Sequence, residues 1–392
     1  MKLTLEDARR VLTTVHGFDD LAQGEKGVER VAGRLRCIQV DPINTAGRNH
    51  DLTLFSRVRD HRPEYLESLL YDHKKFFEYY CKMLSILSME TYPVFRWEMD
   101  RQEKRHERFL KEHGNEVDHI MKVLEEKPVS SLELKDMGLN SADSWRTSSV
   151  SNQLLRVLWL TGRICIAHRK GGRKYYTPAE NMVPGDVIGS TVPEQEVKER
   201  TAEIIVKASR LVSPNKAPAQ WDPVGGVREV RDVLERLERK GKIFSLELEG
   251  WKGKLYAHTE DADAWEDHSE HDGPFVRFLA PLDPLIWNRD LFAHIYGHEY
   301  LWEVYKKKED RRYGYYCLPV LFNGEYVGIM EPYLHREGNF LEIKSFYPLK
   351  KDMDKGFRDA FDAELERYMA FLDTKEVKFH VENSIKTLKH FT

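Results

Sequence analysis

The order of helical and extended patterns constrains the fold of this chain more than any single motif. Residues 149–162 carry apolar side chains at helical spacing and end at a glycine. Residues 163–177 (RICIAHRKGGRKYYT) then read as two strands around a Gly-Gly turn. The same order, helix then hairpin, is indicated at residues 224–258 and in the first 90 residues. This is the outline of a winged helix, which serves both DNA-binding and protein–protein modules.

The two ends of the chain differ in texture. Residues 3–16 and 27–36 have helical spacing, with Thr4 as a cap for the first helix. From residue 274 onward the pattern becomes extended, and the predicted strands are 276–279, 299–306, 313–322, 326–334 and 339–347, with a turn at Asn323-Gly324. The sequence therefore predicts an α+β fold of tandem winged-helix (helix-turn-helix) domains followed by a C-terminal β-barrel-like domain. The predicted domains are 1–100, 101–190, 191–270 and 271–392.

Composition bounds the class of protein. The 392 residues are 41% hydrophobic and 32% charged, which is typical of globular proteins. The N-terminus has no apolar signal-peptide core and no run is long enough to span a membrane, so we expect a cytoplasmic protein. The four cysteines are scattered, which disfavours a zinc site or a disulfide framework. His268 and His271, in the acidic stretch 259–272, read as solvated surface. The net charge of -4 requires any DNA-binding surface to be a local basic face.

Gln39 and Asp41 are the strongest candidates for chemistry. If residues 37–41 are extended, side chains two apart point the same way, so Gln39 and Asp41 share a face while the intervening apolar residues pack inward. Pro42 ends regular pairing, which places this amide and carboxylate at an outward-facing strand end. Such a pair can hold and activate a water molecule. The alternative is a strand end with two solvated polar residues.

A resemblance favours the chemical interpretation. The motif QVDPI (39–43) is followed by Arg48, His50, Leu52, Ser56, Arg57 and FFEYY (76–80), and further on by FLAPLDPLIWNR (278–289) and RRYGYYCLP (311–319). Together these blocks resemble the signatures of the YcaQ/AlkZ family of winged-helix DNA glycosylases. Gln39 and Asp41 match the Gln-x-Asp branch of that family.

The resemblance implies a function. It points to a monofunctional DNA glycosylase that hydrolyses the N-glycosidic bond of N7-alkylated purines and unhooks interstrand crosslinks. Asp41 would stabilise an oxocarbenium-like sugar and activate the water that Gln39 orients. The partner would be double-stranded DNA carrying alkylated or crosslinked bases, bound by a monomer that needs no cofactor and no metal. One departure concerns the substrate range, because Tyr80 and Lys82 stand where family members often carry Trp and His.

Basic side chains in two stretches are predicted to contact DNA: Arg48, His50 and Arg57 after the motif, and Arg169, Lys170, Arg173 and Lys174 at the Gly-Gly hairpin. The alternatives are a structural His50, an Arg57 paired with an acid such as Asp60, and an ordinary soluble hairpin. The charged run KKKEDRR (306–312) reads as a turn that either reaches DNA or is merely solvated.

Two rival classes stay open at this point. A non-catalytic winged-helix transcriptional regulator would use the same basic hairpins but would need no Gln-x-Asp pair. A glycosidase would need a second carboxylate paired with Asp41, and the sequence has no obvious candidate.

Overall fold

The chain forms two compact units. The computed structural model describes residues 2–136, 147–215, 218–266, 273–350 and 356–380. The larger unit comprises Met1–Leu66 and Ala202–Thr392, and the smaller unit comprises Glu67–Thr201. The four-domain division predicted from the sequence cuts the chain elsewhere and stays a prediction. His268 and His271 lie outside the described residues.

Helices and strands alternate along the described residues. The helices are α1 Leu5–His16, α2 Gly24–Leu35, α3 Asn49–Phe55, α4 Pro63–Glu67, α5 Tyr92–Glu112, α6 Gly114–Glu126, α7 Ser131–Asp136, α8 Thr147–Leu160, α9 Gly185–Ile188, α10 Glu194–Ser209, α11 Pro218–Trp221, α12 Val227–Arg239, α13 Ala262–Glu266, α14 Arg289–Tyr296 and α15 Gly356–Phe371. The strands are β1 Lys2–Leu3, β2 Cys37–Gln39, β3 Phe76–Tyr80, β4 Leu84–Ser88, β5 Val129–Ser130, β6 Ile164–Lys170, β7 Arg173–Pro178, β8 Leu211–Val212, β9 Ile243–Leu248, β10 Leu255–His258, β11 Val276–Phe278, β12 Leu318–Phe322, β13 Glu325–His335, β14 Phe340–Pro348 and β15 Glu376–Phe379.

Local sequence signals set the limits of α1. The Thr4 hydroxyl accepts a hydrogen bond from the Asp7 amide at 3.1 Å, and the Asp7 carboxylate accepts one from the Thr4 amide at 3.0 Å. This capping box satisfies two backbone donors that the first turn leaves unpaired. Gly17, at φ +72°, closes the helix in the left-handed conformation. The predicted Thr4 cap is confirmed.

Two sheets build the larger unit. In the first, the strand order is β1-β9-β10-β8, with β1 parallel to β9. In the second, β11 to β15 follow in chain order, and Asn323 and Gly324 form the β12–β13 turn at φ +48° and +79°. Helix α15 packs beside β11, where the Phe278 ring lies 5.4 Å from Phe361 and 5.6 Å from Tyr368.

Part of the predicted strand pattern is wrong. Residues 299–306 form a loop, and β12 begins at Leu318 rather than at residue 313. Helix α14, closed by Gly297 at φ +77°, was not predicted. The alternation of large apolar residues in 300–304 imitates a strand, but the Glu303 carboxylate accepts the amides of Arg312 and Tyr313 and holds the segment as a loop.

The smaller unit repeats the order of helix and hairpin. Helix α8 precedes the antiparallel pair β6–β7, which turns at Gly171-Gly172, and β5 joins that sheet beside β7. Strands β3 and β4 form another antiparallel hairpin. The predicted mixed α+β composition is confirmed.

Two further predictions concern thiols and membranes. The four cysteines are all free thiols. Among the described residues, no helix is both long and apolar enough to cross a membrane.

Candidate active site

Strand β2 ends at the motif and buries it. The strand begins after Arg36, whose left-handed φ of +61° closes α2, and it ends at Gln39, so Asp41 lies beyond it. Gln39 is 6% exposed and Asp41 is 8% exposed. The predicted outward-facing pair on an extended segment is therefore corrected: both side chains are buried. Solvation alone does not account for them.

Asn49 braces the end of β2. Its side-chain amide donates to the Gln39 carbonyl at 2.8 Å, and its carbonyl accepts the Leu282 amide at 2.8 Å. Asn49 is fully buried at the start of α3. One side chain thus fixes β2, α3 and the turn before Asp283 to one another. The sequence reasoning missed this residue, whose neighbours Arg48 and His50 drew attention instead.

The carboxylate of Asp41 is held in a desolvated place. Its Oδ1 accepts the Ile43 amide at 2.9 Å across Pro42, as in an Asx turn. Burial raises the pKa of Asp41 above its usual value, while the Ile43 amide and His50 offset only part of the rise. Tyr316 lies close enough for the charge of Asp41 to add to the burial that raises its own pKa. The Tyr316 hydroxyl donates to the Gly47 carbonyl at 3.1 Å.

A second carboxylate lies behind His50. Asp51 is buried between two imidazoles, with Oδ2 at 3.7 Å from His50 Nε2 and Oδ1 at 3.6 Å from His61 Nε2. Burial alone would raise the pKa of Asp51, but His50, His61 and Arg48 lower it overall. Asp51 is thus the stabilised anion of this region, whereas Asp41 is the destabilised one. His50 acts electrostatically on both, which makes it a residue of the site's interior. Sequence reasoning had not singled out Asp51, His61 or Tyr316.

Arg57 has a structural environment. It is 1% exposed, and its guanidinium donates to Asp283 at 2.7 and 2.9 Å. It also donates to His16 Nδ1 at 3.0 Å and lies 4.5 Å from the centre of the Phe18 ring. Burial and the neighbouring arginines lower the pKa of His16, so the ring stays neutral and can accept. The predicted DNA contact of Arg57 is corrected, since the side chain has no surface to offer a phosphate.

The four cations of the β6–β7 hairpin fall into two pairs. Arg169 donates to the buried carboxylate of Glu78, through Nε at 3.0 Å, and Lys174 Nζ lies 4.8 Å from the Trp159 ring centre. Lys170 and Arg173 face each other across the turn and are exposed. The prediction that all four lie free at the tip is corrected for Arg169 and Lys174, because acidic and aromatic neighbours within the smaller unit hold them.

Comparison with known proteins agrees with this architecture. A family model described as "DNA glycosylase AlkZ-like" matches residues 32–371. The solved structure of Streptomyces sahachiroi DNA glycosylase AlkZ superimposes with a TM-score of 0.66 over 97% of this chain and 100% of that one, at 14% sequence identity. That similarity concerns the fold, whereas the family match spans most of the sequence. The chain therefore belongs to the AlkZ-like DNA glycosylase family and is a DNA N-glycosylase.

Proposed function

We propose that this enzyme hydrolyses the N-glycosidic bond of N7-alkylated purines in double-stranded DNA, and that it unhooks interstrand crosslinks of the same chemistry. The observation that carries the proposal is the burial of Asp41 next to Gln39 with a carboxylate whose pKa is raised. A desolvated, incompletely compensated charge is typical of a functional group rather than of a stabilising one.

The chemistry asks for a negative charge near the sugar. An N7-alkylated purine is cationic and already a good leaving group, so its departure leaves an oxocarbenium-like deoxyribose. A carboxylate in a water-poor place interacts strongly with that charge. In our proposal Asp41 stabilises the cation and takes a proton from the attacking water. Gln39 orients this water, because an amide can donate and accept at once. The product is an abasic site with an intact strand.

The proposed DNA contacts are fewer than the sequence indicated. We retain Arg48 and His50 next to the motif, and Lys170 and Arg173 at the hairpin turn. In this proposal the helix-then-hairpin groups are winged helices whose hairpins touch the phosphate backbone. The enzyme acts as a monomer without a cofactor. The regulator alternative is set aside, because the chain belongs to a family of glycosylases.

The first experiment measures base release from a duplex with a single N7-methylguanine, using alkali to reveal abasic sites. We expect strand cleavage only after alkali treatment. Asp41→Asn, which keeps an acceptor for the Ile43 amide, should lower the single-turnover rate by about 10²- to 10⁴-fold and leave duplex binding intact. The exposed Asp263 gives the matched control, Asp263→Asn, which should leave the rate unchanged. Unchanged release by Asp41→Asn would remove Asp41 from the mechanism.

The pH profile tests the same carboxylate. Because the ionised form acts, the rate should fall as the pH drops through the pKa of Asp41. Since burial raises that pKa, the acid limb should lie above the range of an ordinary aspartate. A limb at or below the ordinary range, in protein that remains folded, would contradict the assignment.

A further inference from the structure

One exposed aromatic residue stands out in the larger unit. The loop of residues 299–315, between α14 and β12, carries Tyr305 with 83% of its surface exposed. Among the large hydrophobic residues that the structure describes, the next most exposed is Met83 at 54%. A solvated tyrosine ring gains little for folding, which raises the question of what it is exposed for.

The loop that carries Tyr305 is fixed from beneath. Glu303, only 1% exposed, accepts the Arg312 amide at 2.9 Å and the Tyr313 amide at 2.7 Å. Glu331 accepts the Tyr315 amide at 2.6 Å. The backbone is therefore held by charge-assisted hydrogen bonds, which are stronger than neutral ones. The loop is a preorganised surface rather than a loose connection.

The outer face of the loop is basic. Residues 305–312 contain five basic side chains and two acidic ones. Lys307, Lys308 and Arg312 are exposed, and the Arg311 guanidinium lies 4.8 Å from the Tyr315 ring centre. In a chain with a net charge of -4, this local excess of positive charge suits a polyanion.

Ring contacts connect the loop to the candidate site. The Tyr305 ring centre lies 5.7 Å from that of Trp302, which lies 6.4 Å from that of Tyr316. Tyr316 in turn binds the Gly47 carbonyl and senses the charge of Asp41. Tyr305 is therefore two ring contacts away from a residue of the Asp41 environment, within the same unit.

We propose that the 299–315 loop is a DNA-binding element of this enzyme, in which Tyr305 stacks on a nucleobase near the Asp41 site while Lys307 and Lys308 contact phosphates. The proposal rests on the proposed function only in taking Asp41 as the place of the reaction. A fixed loop loses little conformational freedom on binding, so the stacking contributes almost fully to affinity. An aromatic ring accepts any base, which fits an enzyme that meets its target in any sequence.

The test compares Tyr305→Ala with Tyr305→Trp in binding to a lesion-free duplex, measured by fluorescence anisotropy. We expect about 10-fold weaker binding for Tyr305→Ala and near-native binding for Tyr305→Trp, because stacking needs a ring and not the hydroxyl. The matched control is Tyr333→Ala on β13, a tyrosine with 38% of its surface exposed, which should leave affinity unchanged. Unfolding curves establish that every variant is folded.

The cations are tested by the salt dependence of the same affinity. Each of Lys307→Gln and Lys308→Gln should reduce the slope of log K against log salt by about 0.9, whereas Lys375→Gln, an exposed lysine on another segment, should not change it. Native affinity in Tyr305→Ala, or an equal loss in Tyr333→Ala, would overturn the proposal.

This test does not depend on the proposed chemistry. Failure of Asp41→Asn to lose base release would refute the mechanism while leaving the binding measurements valid. Conversely, a catalytic Asp41 together with a Tyr305→Ala variant of native affinity would refute the loop alone.

Discussion

The β6–β7 hairpin and the 299–315 loop are both basic in sequence, yet they use their charges in opposite ways. In the hairpin, the buried carboxylate of Glu78 takes the side chain of Arg169 and thereby withdraws it from the surface. In the loop, the buried carboxylate of Glu303 takes backbone amides and leaves Lys307 and Lys308 outside. The availability of a cation for DNA is thus decided by what the nearest buried acid binds.

The largest effect is expected from breaking the hairpin's buried pair. Arg169→Ala leaves the Glu78 carboxylate buried with the Tyr71 hydroxyl at 2.8 Å, and the free energy of unfolding should fall by about 3–5 kcal/mol. Urea unfolding measures this loss, and Arg173→Ala provides an exposed control that should lose little. Burial would raise the pKa of Glu78, but Arg169 and Tyr71 lower it overall, so the pair's contribution is present above the unfolded-state pKa and disappears as the pH falls. Equal stabilities of the two variants would end the comparison.

A smaller effect is expected from loosening the loop. Glu303→Gln keeps the shape of the side chain but removes the charge that two amides and Lys306 Nζ share. We expect a local loss of about 2 kcal/mol, seen as roughly 30-fold faster hydrogen exchange of the Arg312 and Tyr313 amides. Duplex binding should weaken less than in Tyr305→Ala. Undiminished protection of both amides would mean that the carboxylate does not hold the loop.

The smallest change in stability is expected at the exposed end of the hairpin. The double variant Lys170→Gln, Arg173→Gln should leave the unfolding curve within about 0.5 kcal/mol of the native one. It should nevertheless lower the salt slope of duplex binding by about two, if both side chains meet phosphates. Lys174→Gln, beside Trp159, is the internal comparison and should not lower that slope. A native salt slope in the double variant would leave the loop as the better-supported basic surface.

Local signals in the sequence were reliable where the structure depends on neighbours in the chain. The Thr4 cap, the Asn323-Gly324 turn and the Gly-Gly hairpin were all predicted because each relies on contacts within a few residues. The same signals failed at residues 299–306, where the apolar alternation of a strand was outweighed by Glu303 and amides nine and ten residues away.

The candidate site was predicted in identity but not in surroundings. Gln39 and Asp41 were found through their motif, whereas their burial depends on Asn49 and on Leu282, which lies 243 residues after Gln39. Nothing in the spacing near Arg57 identifies Asp283 as its partner, 226 positions further on. The partners of buried charges are therefore the part of the site that this single sequence could not supply.

The Arg57–Asp283 pair also has a consequence for synthesis. The ribosome adds roughly 5–20 residues per second, so Arg57 waits on the order of 10–45 s for its partner to be made. The smaller unit is continuous in sequence and lies wholly within that interval. A nascent chain released early would carry Gln39 and Asp41 without the Asn49–Leu282 brace that holds them. Base-removing activity is thereby confined to chains whose translation has passed the second half of the message, which spares the genome from truncated, unregulated fragments.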